Sequence, residues 1–252
     1  MMNPAEFANI AASERDFWWY RGMRDILYSV LDPIALEHSF HRVLETGCGT
    51  GYLSKVLGER YGWPMIPLDL GYEGLEYARD MGLQRLVQAD IAALPFAAGS
   101  IDMLLSMDVV VHFPLGQEHQ PIAEFYRVLQ PGGFLVLRVS ALDILRSRHS
   151  MFAHERQRFT RARLLKLVES AGFQVRGCTF CNSLLLPVAL AKFRIWEPLT
   201  NAKPASGVTP VAPWLDRILA QPLKWEASWI GRGGRFPIGQ SLLLVAVKPG
   251  KP

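Results

Sequence analysis

The segment VLETGCGTG, residues 43–51, decides the fold, because a short apolar strand runs directly into a turn with three glycines. Gly47, Gly49 and Gly51 can adopt positive φ and have no Cβ, so a ligand can lie against the bare backbone. Their G-x-G-x-G spacing differs from the G-x-G-x-x-G dinucleotide fingerprint, and the Gly-Lys-Ser/Thr of a P-loop does not follow. The turn alone fits a ligand site or a plain structural turn, and its surroundings decide between the two.

Strand-like and helix-like patterns alternate around this turn as far as about residue 140. Apolar runs predict five strands, over residues 41–45, 65–70, 85–89, 101–110 and 134–139. Helical spacing predicts helices over residues 52–60, 71–80 and 121–129, the last of them stopped by Pro-Gly-Gly at 131–133. This alternation predicts an α/β fold whose sheet is mostly parallel, with helices on both faces.

The order of elements changes after the fifth strand. The pattern predicts a helix over 160–171 with Thr160 as its N-cap, then strands over 173–180 and 241–247. The long insertion between these strands, residues 181–240, contains predicted helices near 184–198 and 214–226 and a Pro-rich loop over 201–213. It carries four of the seven tryptophans. Such an excursion inside a compact domain is typical of a functional segment or a separate lobe.

Three acids stand where predicted strands end. Asp69 and Asp90 end the second and third strands, and Glu45 lies beside the glycines. Ligands bind at the carboxyl edge of a parallel sheet, where Asp69 could accept hydrogen bonds from two ribose hydroxyls and Asp90 from an adenine amino group. The three carboxylates would repel a diphosphate but suit a cofactor with hydroxyls, an ammonium and a sulfonium. S-adenosylmethionine (SAM) has all three groups.

The sequence at this point resembles the class I SAM-dependent methyltransferases, specifically the broad type 11 group. The matching segments are VLETGCGTG (43–51), PLDLGYEGLEYAR (67–79), QADIAALPFAAGSIDML (88–104), SMDVVVHF (106–113), FYRVLQPGGFLVL (125–137) and RFTRARLLKLVESAGF (158–173). The resemblance implies a Rossmann-like seven-stranded sheet, with a last strand that runs antiparallel to the others. That expectation agrees with the strands read from the apolar pattern.

The resemblance also implies a set of residues that contact SAM. It assigns the methionine portion to the glycine turn, the ribose and adenine to the ends of the next two strands, and a further contact to the fourth strand. The residues so implied are Glu45, Gly47, Cys48, Gly49, Gly51, Asp69, Leu70, Asp90, Ile91 and Met107, with Asp108 beside them. The segment DFWWYRGMR (16–24) is similar to a helix that some members fold over the cofactor, so Tyr20 or Arg21 could reach the SAM carboxylate, unless the aromatic residues only anchor the packing.

These expectations divide the chain into four parts of one folded unit. They are an N-terminal helical lid (1–40), a SAM-binding core (41–180), an insertion or cap (181–240) and a final strand with a tail (241–252). The aromatic insertion is expected either to cap an acceptor pocket or to form a dimer interface.

Methyl transfer needs alignment of acceptor and sulfonium, and it needs a base only when the acceptor has a high pKa. His112, His149 and His154 are the candidate bases, because histidine titrates near neutrality. Each could instead be a scaffold or solvated loop residue. Arginines concentrated over residues 138–176 either form a solvated face or bind an anionic acceptor.

The predicted function is therefore transfer of a methyl group from SAM to a small hydrophobic or aromatic molecule, at oxygen or carbon. Two alternatives stay open: a lipid or quinone methyltransferase at a membrane surface, motivated by the apolar stretch 184–196, and a non-catalytic SAM-binding partner protein. A homodimer is possible.

The bulk composition agrees with a cytoplasmic enzyme. The net charge of +4 over 252 residues is weak evidence for nucleic acid binding, so no nucleic acid partner is expected. The three cysteines include a C-x-x-C at 178–181 without a second pair at zinc spacing, so we expect reduced thiols and no metal site. No secretory signal pattern and no stretch long enough to span a membrane is visible, so stable membrane insertion is not expected.

Overall fold

The computed structural model describes residue 3, residues 5–200, residues 206–207 and residues 211–250. Its centre is a seven-stranded sheet with the order β3-β2-β1-β4-β5-β7-β6. The strands are β1 (Val43–Thr46), β2 (Met65–Asp69), β3 (Val87–Gln88), β4 (Ile101–Met107), β5 (Leu129–Ser140), β6 (Gln174–Cys181) and β7 (Ser241–Val247). Strand β7 runs antiparallel to β5 and β6, whereas the pairs from β3 across to β5 are parallel. The predicted Rossmann-like fold with an antiparallel last strand is confirmed.

Helices cover both faces of this sheet. They are α1 (Ala5–Ser13), α2 (Trp18–Glu37), α3 (Tyr52–Tyr61), α4 (Tyr72–Asp80), α5 (His119–Val128), α6 (Arg148–Phe152), α7 (Arg161–Ser170), α8 (Leu186–Ala191), α9 (Glu197–Leu199) and α10 (Pro213–Gly231). A short 3-10 turn follows β4 at Val110–His112, and a π-helical segment, Lys192–Trp196, joins α8 to α9.

Alternate residues of the strands feed two separate cores, as the pleat of a β-strand requires. Leu104 packs on the face covered by α5 and α7, while its neighbours Met103 and Leu105 pack on the face covered by α2, α3 and α10. All three side chains are completely buried. Strands with apolar residues on both faces therefore lie in the middle of the sheet, in agreement with the parallel arrangement.

The second core joins the two ends of the chain. Helix α2, from the predicted lid, packs along α10, from the predicted insertion. The two helices approach so closely at Gly22 that an added Cβ would lie 2.3 Å from the side chain of Leu223. Parts of both segments therefore belong to the folded core, while the roles of lid and cap stay predictions.

Several element boundaries differ from the sequence predictions. The third strand is only two residues long, because it lies at the sheet edge and pairs with β2 alone. The fourth strand ends at Met107 instead of residue 110, since Asp108 turns the chain with φ of 59°. The fifth strand begins at Leu129, so Pro-Gly-Gly at 131–133 lies inside it. Helix α10 continues past the predicted residue 226, through Pro222, to Gly231.

Two predictions concern features that the structure covers only in part. Most of the predicted Pro-rich loop over 201–213 lies outside the described residues. Among the residues that are described, no helix is both long and apolar enough to cross a bilayer, and no cluster of metal-ligating side chains occurs.

Candidate cofactor and acceptor site

The three glycines of the turn after β1 have positive φ but serve different purposes. A Cβ on Gly47 would lie 2.2 Å from the side chain of Val109, and one on Gly51 would lie 2.6 Å from Ala78. Those two glycines permit close packing behind the turn. A Cβ on Gly49, whose φ is 55°, would meet no atom within 4 Å. Gly49 therefore leaves open space that a ligand could fill.

Gly51, also predicted to contact the cofactor, has a structural role in the turn. It lies outside the residues that line the cavity at this turn, whereas Gly47, Cys48 and Gly49 line it. Gly51 instead precedes the first residue of α3 in a left-handed conformation, with φ of 79°. Helix entry and close packing against Ala78 of α4 account for a glycine at this position, and the contact with the cofactor stays a prediction.

The carboxylate of Asp69, at the end of β2, holds the glycine turn in place. It accepts the backbone N–H of Gly49 at 2.8 Å through Oδ2 and that of Gly71 at 2.7 Å through Oδ1. Burial raises the pKa of Asp69, and these hydrogen bonds offset part of that shift. An ionised carboxylate has about four acceptor positions. Asp69 therefore retains the capacity to accept two ribose hydroxyls.

Two buried glutamates lie beside the same turn. Glu45 is 2% exposed and accepts a hydrogen bond from the Ser54 hydroxyl. Glu14, which precedes α2, is 7% exposed and accepts a hydrogen bond from the Thr50 hydroxyl. Burial raises the pKa of each to about 7. A bound cation would favour the ionised form of both side chains.

Glu14 was not predicted from the sequence. It lies far from the glycine turn along the chain and carries no recognisable motif, so only the folded structure places it there. Glu6 of α1 also lines the cavity and was missed in the same way.

The remaining predicted SAM contacts along the sheet edge line this cavity as well. They are Leu70, Asp90, Ile91 and Met107, together with Asp108. Asp90 is exposed and accepts the backbone N–H of Ala92 at 2.9 Å, which fixes the turn after β3. Cys48 is buried, and its burial raises the thiol pKa well above the usual value, so this side chain is not a reactive thiolate.

The N-terminal aromatic segment meets the cavity through Tyr20 and Trp19. The two rings pack edge to face, with 5.1 Å between their centroids. Burial raises the pKa of Tyr20, so its phenol stays protonated at neutral pH and can donate a hydrogen bond.

Arg21, the alternative to Tyr20 as a contact of the SAM carboxylate, is engaged in other interactions in this structure. Its guanidinium lies 2.6 Å from the carboxylate of Asp216 in α10 and also donates to the Asp16 carbonyl. Arg21 lies outside the cavity lining, whereas Tyr20 lines the cavity. Successive residues of a helix point about 100° apart, so Arg21 faces α10 instead. Its interaction ties α2 to α10.

Asp108 and Arg138 form an ion pair at the end of β4. The closest N–O distance is 2.7 Å, and the Arg138 side chain is only 13% exposed. The guanidinium also lies over the ring of Trp19, 5.5 Å from its centroid. Within the described residues, the second carboxylate oxygen of Asp108, Oδ1, is buried and has no hydrogen-bond partner. This oxygen is therefore a buried hydrogen-bond acceptor beside the cavity, and no group of the described residues donates to it.

His112 has the geometry of a base. Its Nδ1 lies 3.2 Å from the backbone carbonyl of His154. Because a carbonyl only accepts, Nδ1 carries the proton in the neutral ring, and Nε2 keeps its lone pair. Burial lowers the pKa of His112, so the ring is neutral at pH 7. Its side chain lines the cavity.

The other two candidate histidines differ from His112. The Nδ1 atom of His149 accepts the backbone N–H of Gly207 at 3.0 Å, which leaves Nε2 as a hydrogen-bond donor in the neutral ring. Burial lowers its pKa as well. His149 lines the cavity, but His154 is exposed and lies outside the lining. The backbone of His154 has a positive φ of 58°, and its carbonyl orients the ring of His112.

The cavity extends well beyond the glycine turn and has a volume of about 1290 Å³. A site for one small ligand typically occupies roughly 300–1,000 Å³. The far side is formed by the insertion, with Leu185, Val188, Ala189, Lys192, Phe193 and Trp196. The cavity therefore has room for a cofactor at the turn and for a second, largely apolar molecule beneath the insertion.

Most of the clustered arginines are occupied by structural interactions. Arg158 pairs with Glu155 at 2.6 Å, and Arg163 pairs with Glu118 at 2.5 Å. Arg148 donates to the Glu197 carbonyl and to Thr200, which ties α6 to α9. These arginines fix the connection between β5 and β6, and their guanidinium groups are already paired. These three arginines therefore give no specific support for an anionic acceptor, whereas Arg156 of the same cluster lines the cavity and is exposed.

Together, these features define a nucleoside-binding α/β protein with an acidic cofactor site at the carboxyl edge of its sheet. Residues 44–137 match the family described as "Methyltransferase domain". Residues 44–137 are therefore a class I SAM-dependent methyltransferase domain, as the resemblance implied, and SAM is the cofactor of this class. The open space at Gly49 and the buried carboxylates around it fit a cofactor with a sulfonium, an ammonium and ribose hydroxyls.

Related proteins agree with this assignment. The chain is 36% identical over 107 residues to a malonyl-[acyl-carrier protein] O-methyltransferase of Enterobacter lignolyticus, covering 42% of this chain and 41% of that protein. It is 34% identical over 163 residues to the enzyme of the same name from Laribacter hongkongensis, covering 59% and 54%. The chain thus spans about half the length of these curated relatives.

A solved structure resembles the whole chain. It is a Haloferax volcanii methyltransferase in complex with the Trm112 methyltransferase activator, with a TM-score of 0.58 and 21% identity. The alignment covers 97% of this chain and 98% of that one. At this identity the likeness concerns the fold alone.

Proposed function

We propose that this chain transfers the methyl group of SAM to a small hydrophobic or aromatic acceptor, at oxygen or carbon. The observation that carries the proposal is one continuous cavity with two unlike ends. One end is the glycine turn with its carboxylates, and the other is the apolar wall of the insertion. Such a cavity can hold a cofactor and an acceptor side by side.

Residues around the turn would hold the cofactor. Asp69 would accept the ribose hydroxyls, Gly49 would let the nucleoside approach the backbone, and Asp90 would face the adenine. Glu45 and Glu14 supply buried carboxylates that favour a positively charged ligand. The sulfonium, when bound, makes the methyl carbon electrophilic, so the protein's task is to align the acceptor and exclude water.

His112 would handle the acceptor's proton. Its Nε2 lone pair is available because Nδ1 is committed to the His154 carbonyl. An acceptor hydroxyl with a high pKa must lose its proton as the new bond forms, and a neutral imidazole is a suitable base near pH 7. His149, whose Nε2 is a donor in the neutral ring, would instead position a polar group of the acceptor.

The oxygen acceptor is favoured by the relatives. Both are named O-methyltransferases that act on malonyl-[acyl-carrier protein]. We extend to this chain only the transfer to oxygen. The apolar far wall of the cavity supports a hydrophobic acceptor, and Phe193 and Trp196 within that wall equally support an aromatic one.

The test combines binding and turnover with the full chain. Calorimetry with SAM and with NAD establishes which nucleoside binds, and the protein is then incubated with SAM and a panel of phenols, quinols and apolar carboxylic acids while S-adenosylhomocysteine is measured. We expect SAM to bind and at least one apolar acceptor to raise S-adenosylhomocysteine above the acceptor-free rate. Binding of NAD in place of SAM would overturn the cofactor assignment. SAM binding without turnover on any member of the panel would favour the non-catalytic alternative.

A further inference from the structure

Helix α10 exposes a stripe of large apolar side chains. Trp214, Ile218, Trp225 and Trp229 are 64%, 57%, 66% and 53% exposed. They are spaced four, seven and four residues apart, which at about 100° per residue keeps them within a sector roughly 60° wide. Three indole rings in one row on a rigid surface are more than the scattered apolar residues that soluble proteins expose.

The stripe cannot turn inward, because the opposite side of α10 is fixed in the core. Leu223 is completely buried against α2, and Ala220, Ala227 and Ile230 are buried on the same side of the helix. The ion pair between Arg21 and Asp216 also ties the two helices together. The tryptophans therefore face solvent as part of the native fold.

Charges around the stripe have one sign. Across residues 211–240, all of which are described, the exposed charged side chains are Arg217, Lys224, Arg232 and Arg235.

The two acids of this segment are withdrawn from the surface. Asp216 pairs with Arg21, and the completely buried Glu226 accepts the backbone N–H groups of Ser183 and Leu184, each at 2.7 Å. Asp25 of α2, whose field reaches Lys224, offsets part of the positive charge. Asp32 of α2 also lies beside the last turns of α10, where it is paired with Arg60.

We propose that the outer face of α10 binds the surface of an anionic lipid bilayer. The indole rings would enter the interfacial region, where an apolar body with one N–H donor is well accommodated. The arginine and lysine side chains would reach the headgroups, with their aliphatic stems along the apolar stripe. A helix that combines tryptophans with exposed cations only is typical of a surface-bound, non-inserted membrane contact.

Electrostatics disfavours a second copy of this chain as the occupant. A two-fold contact on the stripe would bring the same patch of each protomer together. Arg217 and Lys224 of one α10, with Arg232 directly after the helix, would then face those of the other protomer, and like charges across an interface are unfavourable. A lipid surface of opposite charge removes this conflict.

The test is co-sedimentation of the full chain with vesicles of phosphatidylglycerol and phosphatidylcholine, compared with vesicles of phosphatidylcholine alone. We expect binding to the anionic vesicles that weakens as salt is added. The double variant Trp225→Ser/Trp229→Ser should lose at least tenfold in partition coefficient. Arg217→Gln and Lys224→Gln should each lose about fivefold. Leu115→Ser/Ile144→Ser is the matched control, because it removes two exposed apolar side chains outside α2 and α10, 75% and 54% exposed, and should bind as the unaltered chain does.

Folding and cofactor binding are checked separately. Circular dichroism and SAM affinity should be the same in all variants, since none of these residues lines the cavity. No vesicle binding, or equal binding to neutral and anionic vesicles, would overturn the proposal. So would a concentration-dependent dimer that disappears in Trp225→Ser/Trp229→Ser, because the stripe would then serve a second copy. None of these results bears on methyl transfer, so the two proposals can fail independently.

Discussion

The two ends of the cavity are built in different ways. At the cofactor end, the loops after β1, β2, β3 and β4 meet at one edge of the sheet, and backbone N–H groups hold Asp69 and Asp90 in place. At the acceptor end, side chains from α1, from the segment around His149 and from the insertion come together. They belong to parts of the chain that are distant in sequence, and side-chain contacts such as Arg148 with Thr200 fix them.

This difference separates the two tasks that a methyltransferase performs. The cofactor end is acidic and depends on strand topology, so changes there should alter SAM affinity. We assign the apolar wall and His112 to the proposed acceptor end, so changes there should alter turnover while SAM still binds. If the two ends are independent, a variant at the cofactor end should change SAM affinity but not turnover at saturating SAM. A variant at the acceptor end should change turnover but not SAM affinity.

The largest effect is expected from His112→Gln. The substitution removes the proposed base, and general-base catalysis typically contributes about 100-fold or more. We expect kcat for a hydroxyl acceptor to fall by about that factor with the SAM dissociation constant unchanged. Because burial lowers the pKa of His112 below 6.5, the unaltered enzyme should keep its activity through neutral pH and lose it as the pH falls below that pKa.

His119→Gln is the matched control for this variant. The Nδ1 atom of His119 also contacts a backbone carbonyl, that of Gly116 at 2.8 Å, but the residue lies outside the cavity lining. Its kcat should equal that of the unaltered chain. Equal rates for His112→Gln and His119→Gln would remove His112 from the mechanism.

Asp69→Ala should give the next largest effect, at the cofactor end. Loss of the hydrogen bonds to the ribose should weaken SAM binding by about 1–3 kcal/mol, measured by calorimetry. Asp102→Ala is a suitable control, because that carboxylate also accepts two backbone N–H groups, from His41 and Arg42, and lies outside the cavity. Both variants should lose stability, but only Asp69→Ala should lose SAM affinity. A similar affinity in the two would show that Asp69 only supports the loop.

Gly49→Ala tests the open space in the glycine turn and should weaken SAM binding about tenfold, which corresponds to about 1.4 kcal/mol. An alanine at positive φ is strained by about 1–2 kcal/mol, so the strain must be controlled. Gly62→Ala provides that control, since Gly62 has φ of 68°, meets no atom within 4 Å at its Cβ position and lies outside the cavity. Both variants should lower the melting temperature alike. Equal SAM affinity in the two would mean that the ligand does not approach Gly49.

The sequence predicted the cofactor end much better than the acceptor end. Asp69 and Asp90 could be placed together because strand ends in a parallel sheet share one edge, which requires only the order of elements. Glu14 and the pairing of Arg21 with Asp216 could not be predicted, because they depend on how α2 packs against α10. No local pattern encodes that packing. The histidines illustrate the same limit. The carbonyl of His154 leaves Nε2 of His112 as an acceptor, and the N–H of Gly207 leaves Nε2 of His149 as a donor. Neither contact can be read from the sequence.

The smallest effect concerns pH and the two buried glutamates at the cofactor end. Glu45 and Glu14 have a pKa of about 7 in the folded chain, against 4.5 as the ordinary value. A raised carboxyl pKa contributes stability below 4.5 that is lost as the pH rises towards about 7. The protein without cofactor should therefore unfold more easily in urea at pH 7.5 than at pH 5, and Glu45→Gln should reduce that difference.

Cofactor binding should show the opposite dependence on pH, because a cation favours the ionised carboxylates. Release of one proton from a group with a pKa of about 7 makes SAM affinity rise about threefold between pH 6.5 and 7.5. Calorimetry in two buffers of different ionisation enthalpy measures how many protons are released when SAM binds. We expect the Glu45→Gln variant to release fewer protons than the unaltered chain. Glu118→Gln is the control, because Glu118 lies outside the cavity. Burial alone would raise the pKa of Glu118, but its hydrogen bonds, including one from Arg163, have the larger effect and lower that pKa. A SAM affinity that does not change across this range would mean that the buried glutamates do not face the positive charge, and the electrostatic contrast between the two ends of the cavity would then be lost.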